Sequence, residues 1–106
     1  MDGYSQEEYV RHVLDAYRQT PGTMGTVRRS DRLLAAHLYE RGVSLTVVEN
    51  ALVLGAARRL IRPPDVRPLA TVRSLAYFLP VIEELLERPV SANYFEYLRR
   101  KLAHTR

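Results

Sequence analysis

Apolar residues recur three and four positions apart in five stretches of the chain, and this spacing predicts five α-helices. The first is predicted to run from Ser5 to Thr20, because Ser5 and Glu8 have the spacing of a capping box. The second is predicted to begin near Ser30 or Asp31 and to end before Gly42, which suits a left-handed C-terminal cap. The residues predicted to face inward are Tyr9, Val10, Val13, Leu14 and Tyr17 in the first helix, and Leu33, Leu34, His37 and Leu38 in the second.

The third stretch is the most apolar. We predict a helix from Leu45 to Ile61 with Ser44 as its N-terminal cap. Apolar residues lie on nearly every side of this helix, so we expect it to be the central and most buried one. Gly55 lowers its helix propensity by ~1 kcal/mol relative to alanine. We therefore expect Gly55 to mark a close contact with another helix.

Prolines separate the last two helices from the rest. Pro63, Pro64 and Pro68 predict a stiff linker over residues 62–70. The fourth helix is predicted from Thr71 or Ser74 to Glu87, with either a kink at Pro80 or a short turn followed by a helix from Leu79. The fifth is predicted to follow Ser91 and to end near Ala103. The predicted inward residues are Leu75, Phe78, Leu79, Ile82, Leu85 and Leu86 in the fourth helix, and Tyr94, Phe95, Leu98 and Leu102 in the fifth.

No stretch alternates apolar and polar residues between hairpin turns, so no strand is predicted. We expect an all-α fold in which residues 1–106 form a single domain. This domain is a compact bundle of five helices, with a Gly/Thr/Arg loop after the first helix and a proline-rich linker before the fourth. A length of 106 residues and a hydrophobic content of 46% suit one globular domain.

Composition excludes several classes of site. The chain has no cysteine, which excludes disulfides, thiolate metal sites and cysteine nucleophiles. No apolar run approaches the ~20 residues of a membrane-spanning helix, and the N-terminus does not resemble a signal peptide. We therefore expect a soluble cytoplasmic protein without a membrane partner.

The charge balance is basic, with 16 Lys and Arg against 12 Asp and Glu. Fifteen of these cations are arginine, whose planar fork of donors matches phosphate. The arginine content could also come from a genome rich in arginine codons, or from stabilisation of helix C-termini by nearby cations. Stabilisation of helix ends would apply to two clusters, which are Arg58, Arg59 and Arg62, and Arg99, Arg100 and Lys101.

The loop over residues 21–29 is long for a helix–helix connection, and it contains two glycines, two threonines and two arginines. Together with open amides at the start of the second helix, it could hold a phosphate or a nucleic-acid backbone. The alternative is an ordinary surface loop. The loop contains the Gly-x-x-Gly sequence found in KH domains, but a KH domain also needs a β-sheet, and none is predicted here. The Gly-Lys-Ser/Thr sequence of a nucleotide-binding P-loop is absent.

Other motifs give little support for catalysis. His12, His37 and His104 share no metal-ligand spacing, and no nucleophile motif is present. We therefore predict no catalytic residue, no metal and no cofactor, and expect a protein that is not an enzyme. The turn at Gly42 has helix-turn-helix spacing, but the helix that follows it is too apolar to read bases.

Tyr94 and Tyr97 lie beside Arg99, Arg100 and Lys101, an arrangement typical of single-strand binders. Two alternatives remain open for these tyrosines. They could be half-buried members of a small core, or they could contribute to a protein interface, where tyrosine is enriched.

The stretch over residues 72–84, preceded by the apolar helix that ends in Ala-Ala-Arg-Arg-Leu, resembles the C-terminal helical domain of DnaD-type primosomal and phage replication-initiation proteins. It is also similar to small uncharacterised proteins carried on bacterial mobile elements. Tyr77 and Val81 match the first two positions of that domain's tyrosine–aliphatic–tryptophan signature, and the chain contains no tryptophan. The resemblance implies binding to single-stranded or melted DNA and to a replication protein, through Tyr77 and the arginines near it.

These observations together predict a non-enzymatic nucleic-acid-binding module acting in DNA replication or mobile-element maintenance. The alternative is a protein–protein adaptor or a homodimer, with Tyr39, Tyr77 and Tyr94 in the interface. The residues predicted to bind nucleic acid are Arg28, Arg29, Arg32, Arg58, Arg59, Arg62, Arg73, Tyr77, Tyr94, Tyr97, Arg99, Arg100 and Lys101.

Overall fold

A computed structural model describes residues 3–63, 65–67 and 69–104 of the chain. Pro64 and Pro68 of the predicted linker lie outside these ranges. The described residues form five α-helices and one 3-10 turn, with a single isolated parallel bridge between Thr23 and Val72 as their only β-type pairing. The all-α prediction is therefore confirmed. In chain order the elements are α1 (Gln6–Gln19), α2 (Arg29–Glu40), α3 (Leu45–Leu60), the 3-10 turn (Leu75–Phe78), α4 (Leu79–Glu87) and α5 (Ala92–Ala103).

The predicted helix caps are present. The N–H of Glu8 donates to Ser5 Oγ at 3.2 Å, and the N–H of Ser5 donates to Glu8 Oε1 at 3.0 Å, so the capping box at α1 is complete. Ser44 and Ser91 cap α3 and α5 in the same way, each accepting a backbone N–H three residues on. Gly42 follows α2 with a φ of +76°, which only glycine adopts without strain.

Helix α3 is the centre of the fold, as its all-round apolar pattern predicts. It packs against α1, α4 and α5, and Val48, Ala51 and Ala56 are wholly buried. The prediction for Gly55 is confirmed. A Cβ added there would lie 2.6 Å from Cδ1 of Phe78 in the 3-10 turn and 3.8 Å from Cγ2 of Val81 in α4, so Gly55 marks the close contact of α3 with the segment that runs from this turn into α4.

Pro80 decides how the fourth apolar stretch folds. Of the two predicted alternatives, the short turn followed by a helix from Leu79 is confirmed. Pro80 lies in the first turn of α4, where the N–H that proline lacks would have no partner within the helix.

The inward face predicted for α2 is right in part. Leu38 is buried and Leu34 packs against the core, as predicted, but Leu33 is 58% exposed and His37 is also exposed. Asp31 and Ala35 are buried in their place. The helix turns this face inward because Asp31 forms hydrogen bonds with the segment that leads into the 3-10 turn, so a polar residue takes a core position. The inward predictions for Leu86 and Tyr94 are also wrong, because α4 and α5 turn other residues toward α3 and leave both of these side chains more than 40% exposed.

Along the described segments, no helix has both the length and the hydrophobicity required to cross a lipid bilayer.

Candidate nucleic-acid interface

The residues predicted to bind nucleic acid do not form one surface. Tyr94, Tyr97, Arg100 and Lys101 lie on the exposed side of α5 and are called the α5 platform below. Arg28, Arg29 and Arg73 lie where the loop after α1 runs beside residues 70–75, and this region is called the loop face. The other predicted residues belong to neither of these surfaces and are described one by one below. They are Arg32, Arg58, Arg59, Arg62, Tyr77 and Arg99.

The α5 platform follows from how α5 packs. Phe95 and Leu98 face α3 and are buried, and Tyr94 and Tyr97 lie together on the neighbouring side of α5, where they are 44% and 49% exposed. The rings of Tyr94 and Tyr97 stack with centroids 6.3 Å apart and an interplanar angle of 28°. Lys101 Nζ lies 5.8 Å from the Tyr97 centroid and 3.5 Å from its hydroxyl oxygen. Two accessible aromatic faces therefore lie next to a cation.

An open groove of about 360 Å³ runs along one side of the α5 platform, between α3, α4 and α5. Its apolar lining is Leu54, Ala57, Ile61, Val90 and Leu98. Val90 was not among the predicted site residues. Helical spacing could not have pointed to it, because Val90 precedes Ser91, the N-terminal cap of α5, and is not part of the helix that carries Tyr94, Tyr97 and Lys101.

Arg58 lies at the edge of this groove but is not available as an isolated cation. Its Nη1 and Nη2 donate to the two carboxylate oxygens of Glu84, at 2.9 Å and 2.6 Å. This bidentate pair raises the pKa of Arg58 and lowers the pKa of Glu84. The charge of Arg58 is thus balanced within the protein.

A second bidentate pair joins α4 to the turn after α2. Arg41 donates to Glu83 at 2.8 Å and 3.0 Å, and the contact lowers the pKa of that carboxyl. The spacing of the glutamates on α4 suggests a solvated acidic face. Glu83 and Glu84 do lie on the surface, with side chains 46% and 43% exposed, and each pairs there with an arginine of another segment.

The loop face is held by backbone pairing. The N–H of Met24 donates to the Val72 carbonyl at 2.9 Å, and the N–H of Val72 donates to the Gly22 carbonyl at 2.8 Å. This pairing brings Arg73 next to the loop that carries Arg28 and Arg29. All three are exposed, and none has an ion pair among the described residues.

The N-terminus of α2 differs from the open anion site that the loop sequence suggests. The carboxylate of Asp31 is buried there and accepts the N–H of Arg28 at 2.9 Å. Its other oxygen accepts the N–H of Leu75 at 2.9 Å. A fixed negative charge therefore already occupies the end of the helix that an incoming anion would need. Arg28 and Arg29 remain as cations, but the N–H of Arg28 is already bonded to Asp31.

Arg59 and Tyr77 form a contact of their own. Arg59 is only 8% exposed, and its Nη2 donates to the carbonyl of Ala70. Its guanidinium lies 5.3 Å from the centroid of the Tyr77 ring. The prediction that Arg59 lies on a basic surface is therefore wrong, because its side chain is buried. Arg62, nearby, donates to the carbonyl of Arg67 at 2.9 Å.

Arg32 and Arg99 lie apart from both surfaces. Arg32 faces the groove between α1 and α2, whose lining also includes Asp15 and Arg18. Arg99 donates to Asn50 Oδ1 at 3.0 Å and lines another open groove, of about 450 Å³, between α1, α3 and α5.

Comparison with protein-family models, with curated proteins and with solved structures finds no match to this chain. No group of three or more potential metal-ligating side chains occurs in the described part of the chain.

Proposed function

We propose that this protein is a non-enzymatic module that binds single-stranded nucleic acid on the α5 platform. The observation that carries the proposal is the stacked pair Tyr94–Tyr97, with both rings exposed and Lys101 beside them. Proteins that bind single strands combine aromatic rings, on which bases stack, with cations that follow the backbone. Arg100 supplies a further cation on the same helix, and Glu96 is the only acid in α5.

A single strand suits this surface better than a duplex does. The bases of a duplex are already stacked on one another, so their faces are not accessible to a tyrosine ring. An unpaired base can stack its face on the ring of Tyr97, beside the groove lined by Leu54 and Val90. Affinity would then combine stacking with phosphate contacts and would decrease as salt is added.

A role in DNA replication or mobile-element maintenance is part of this proposal and rests on the resemblance over residues 72–84. That resemblance would assign the nucleic-acid contact to Tyr77, whereas the α5 platform assigns it to Tyr94 and Tyr97. The two assignments give different expectations for single substitutions.

The experiment is a titration of a fluorescently labelled single-stranded oligonucleotide, followed by anisotropy. Tyr97→Ala and Tyr94→Ala should each weaken binding roughly tenfold, because loss of one stacking ring costs ~1–3 kcal/mol. Tyr97→Phe and Tyr94→Phe are matched controls that keep the ring, and their affinity should stay within about twofold of the wild type. Tyr77→Leu should leave binding unchanged.

A second pair of variants distinguishes binding on the α5 platform from a general electrostatic attraction of nucleic acid to a basic protein. Lys101→Ala should weaken binding and reduce the salt dependence, since a phosphate contact on a single strand contributes a slope of about −0.7. Arg18→Ala also removes one positive charge, but from the groove between α1 and α2. Equal losses in both variants, or equal losses for Tyr77→Leu and Tyr97→Ala, would contradict the proposed site.

A second candidate function is protein–protein association through the same surface. The observation in its favour is the apolar lining of the groove beside the exposed tyrosines. In that case, sedimentation should show a self-associated or partner-bound species that Tyr97→Ala dissociates, and the oligonucleotide should not bind.

A further inference from the structure

The loop face carries positive charge that the neighbouring residues do not balance. Arg28, Arg29 and Arg73 are exposed there, and none of them forms an ion pair within the described ranges. The acid beside Arg28 and Arg29 in the sequence is Asp31, which is buried, and its two oxygens already accept the N–H groups of Arg28 and Leu75. The loop face therefore suits an anionic partner.

Three apolar side chains are exposed in the segments that carry these cations. Met24, Leu69 and Tyr77 are between 46% and 51% exposed. The ring of Tyr77 is held from the inside, because the buried guanidinium of Arg59 lies 5.3 Å from its centroid and also donates to the carbonyl of Ala70. Tyrosine and arginine are among the residues that most often carry the binding energy of protein interfaces. The composition of this surface thus fits a protein partner.

The backbone of the loop face has an unpaired edge. Val72 pairs with the loop after α1 through both its N–H and its carbonyl, in a parallel bridge. In an extended segment the N–H and carbonyl groups of successive residues point to opposite edges, so those of Thr71 and Arg73 point away from this pairing. Both residues are exposed, and their backbone groups form no hydrogen bond with any described residue. An edge of this kind is where an extended peptide adds as a further strand.

We propose that the loop face binds an extended acidic segment of a partner protein, which pairs as a strand with the backbone of Thr71 and Arg73. The carboxylates of that segment lie near Arg28, Arg29 and Arg73, and its apolar side chains contact the exposed apolar residues of the loop face. A nucleic acid or an anionic lipid matches the charge, but neither has N–H and carbonyl groups at the spacing of a strand. The loop face is separate from the α5 platform, and this proposal does not depend on nucleic-acid binding there.

The first experiment follows the backbone amide resonances of the nitrogen-15-labelled protein during titration with a capped peptide of four Glu-Val repeats. The resonances of Thr71 and Arg73 should move and saturate, and their exchange with solvent should slow, because a new strand protects both N–H groups. The resonance of Asp15, on α1, should stay. A capped peptide of four Lys-Val repeats has the same alternation but the opposite charge, and it should leave Thr71 and Arg73 unmoved. Unmoved resonances with the acidic peptide, or equal movement with both peptides, would overturn the proposal.

A second experiment tests the charges by measuring the Kd of the acidic peptide. The double variant Arg29→Ala/Arg73→Ala should weaken its binding roughly tenfold, because two cations of the loop face are removed. Arg11→Ala/Arg18→Ala removes two exposed cations from α1 and is the matched control, whose affinity should stay within about twofold of the wild type. Equal losses in the two double variants would overturn the proposal.

The same resonances test the two other anionic occupants. A labelled single strand that displaces the acidic peptide would assign the loop face to nucleic acid, and vesicles of phosphatidylserine that move the resonances of Thr71 and Arg73 would assign it to a membrane surface. Either result would overturn the proposal. Tyr97→Ala should bind the acidic peptide as the wild type does, so failure of the α5 platform and failure of the loop face can be told apart.

Discussion

The carboxylate of Asp31 accepts the backbone N–H of Leu75 across a separation of 44 residues in the chain. Its second oxygen accepts the N–H of Arg28 at the start of α2. One buried side chain thus fixes the beginning of α2 to the beginning of the 3-10 turn. Because the loop face lies between these two points, its geometry depends on this link.

Asp31→Ala should destabilise the protein strongly. The substitution removes both acceptors and leaves the N–H of Leu75 buried without a partner, which should lower the free energy of unfolding by about 2 kcal/mol or more. Urea denaturation followed by circular dichroism measures this loss. Asp15→Ala is the control, because Asp15 is exposed and pairs with the exposed Arg18, so its removal should change stability by less than about 1 kcal/mol. Similar losses in the two variants would argue against a structural role for Asp31.

Gly55→Ala should be destabilising, although alanine is the better helix former. The gain in helix propensity is about 1 kcal/mol, but the new Cβ would overlap the buried ring of Phe78, and overpacking of this kind costs about 1–3 kcal/mol. The measurement is the thermal unfolding temperature, which should fall. Combining Gly55→Ala with Phe78→Leu should give less than the sum of the two single losses. Strict additivity would show that the two residues do not compete for space.

Tyr17→Phe should leave stability unchanged or raise it by up to about 1 kcal/mol. The hydroxyl of Tyr17 is buried and has no hydrogen-bond partner in the described part of the chain, so its removal leaves no other group unsatisfied. Burial also raises the pKa of this hydroxyl, which keeps it neutral. Tyr9→Phe is the matched comparison, because the hydroxyl of Tyr9 donates to the Val43 carbonyl at 2.8 Å. That variant should lose about 1 kcal/mol in the same urea titration. The opposite order of the two variants would contradict this assignment.

Stability should decrease in acid through Glu83 and Glu84. Hydrogen bonds from Arg41 and Arg58 lower the pKa of these carboxyls below the ordinary value of 4.5. Their contribution is therefore fully present above the unfolded-state pKa and is lost as the pH falls through the folded-state pKa. The urea midpoint of the wild type should fall more steeply below about pH 5 than that of Glu83→Gln/Glu84→Gln. Parallel pH profiles would mean that the ion pairs do not contribute.

Local signals in the sequence predict most of the fold. The caps at Ser5, Ser44 and Ser91 depend on residues within three positions, and the break before Pro80 depends on one residue. The inward face of α2 could not be predicted in this way. Its leucines at positions 33, 34 and 38 fit more than one face, and the contact that selects among them is made by Asp31 with a backbone group 44 residues away.

The candidate site could be predicted only where it lies on one element. Tyr94, Tyr97 and Lys101 share a helical face, so their proximity follows from spacing alone. Contacts between side chains of different helices and loops could not be predicted from the sequence. Arg58 lies beside Glu84, and Arg59, its neighbour in sequence, is buried under the Gly22 turn, because α3 contacts α4 on one side and residues 70–72 on another. A run of arginines in the sequence thus becomes an ion pair, a buried cation and a few exposed charges.

The most direct test of the central claim is a comparison of binding to a labelled single strand and to a duplex of the same sequence as salt is raised. Binding on the α5 platform predicts tighter association with the single strand. It also predicts that the logarithm of the affinity falls linearly with the logarithm of the salt concentration, with a slope of about −1.4 to −2.1 for two or three phosphate contacts. Absence of binding to the single strand at ~50 mM salt would contradict the account, and so would equal affinity for the single strand and the duplex.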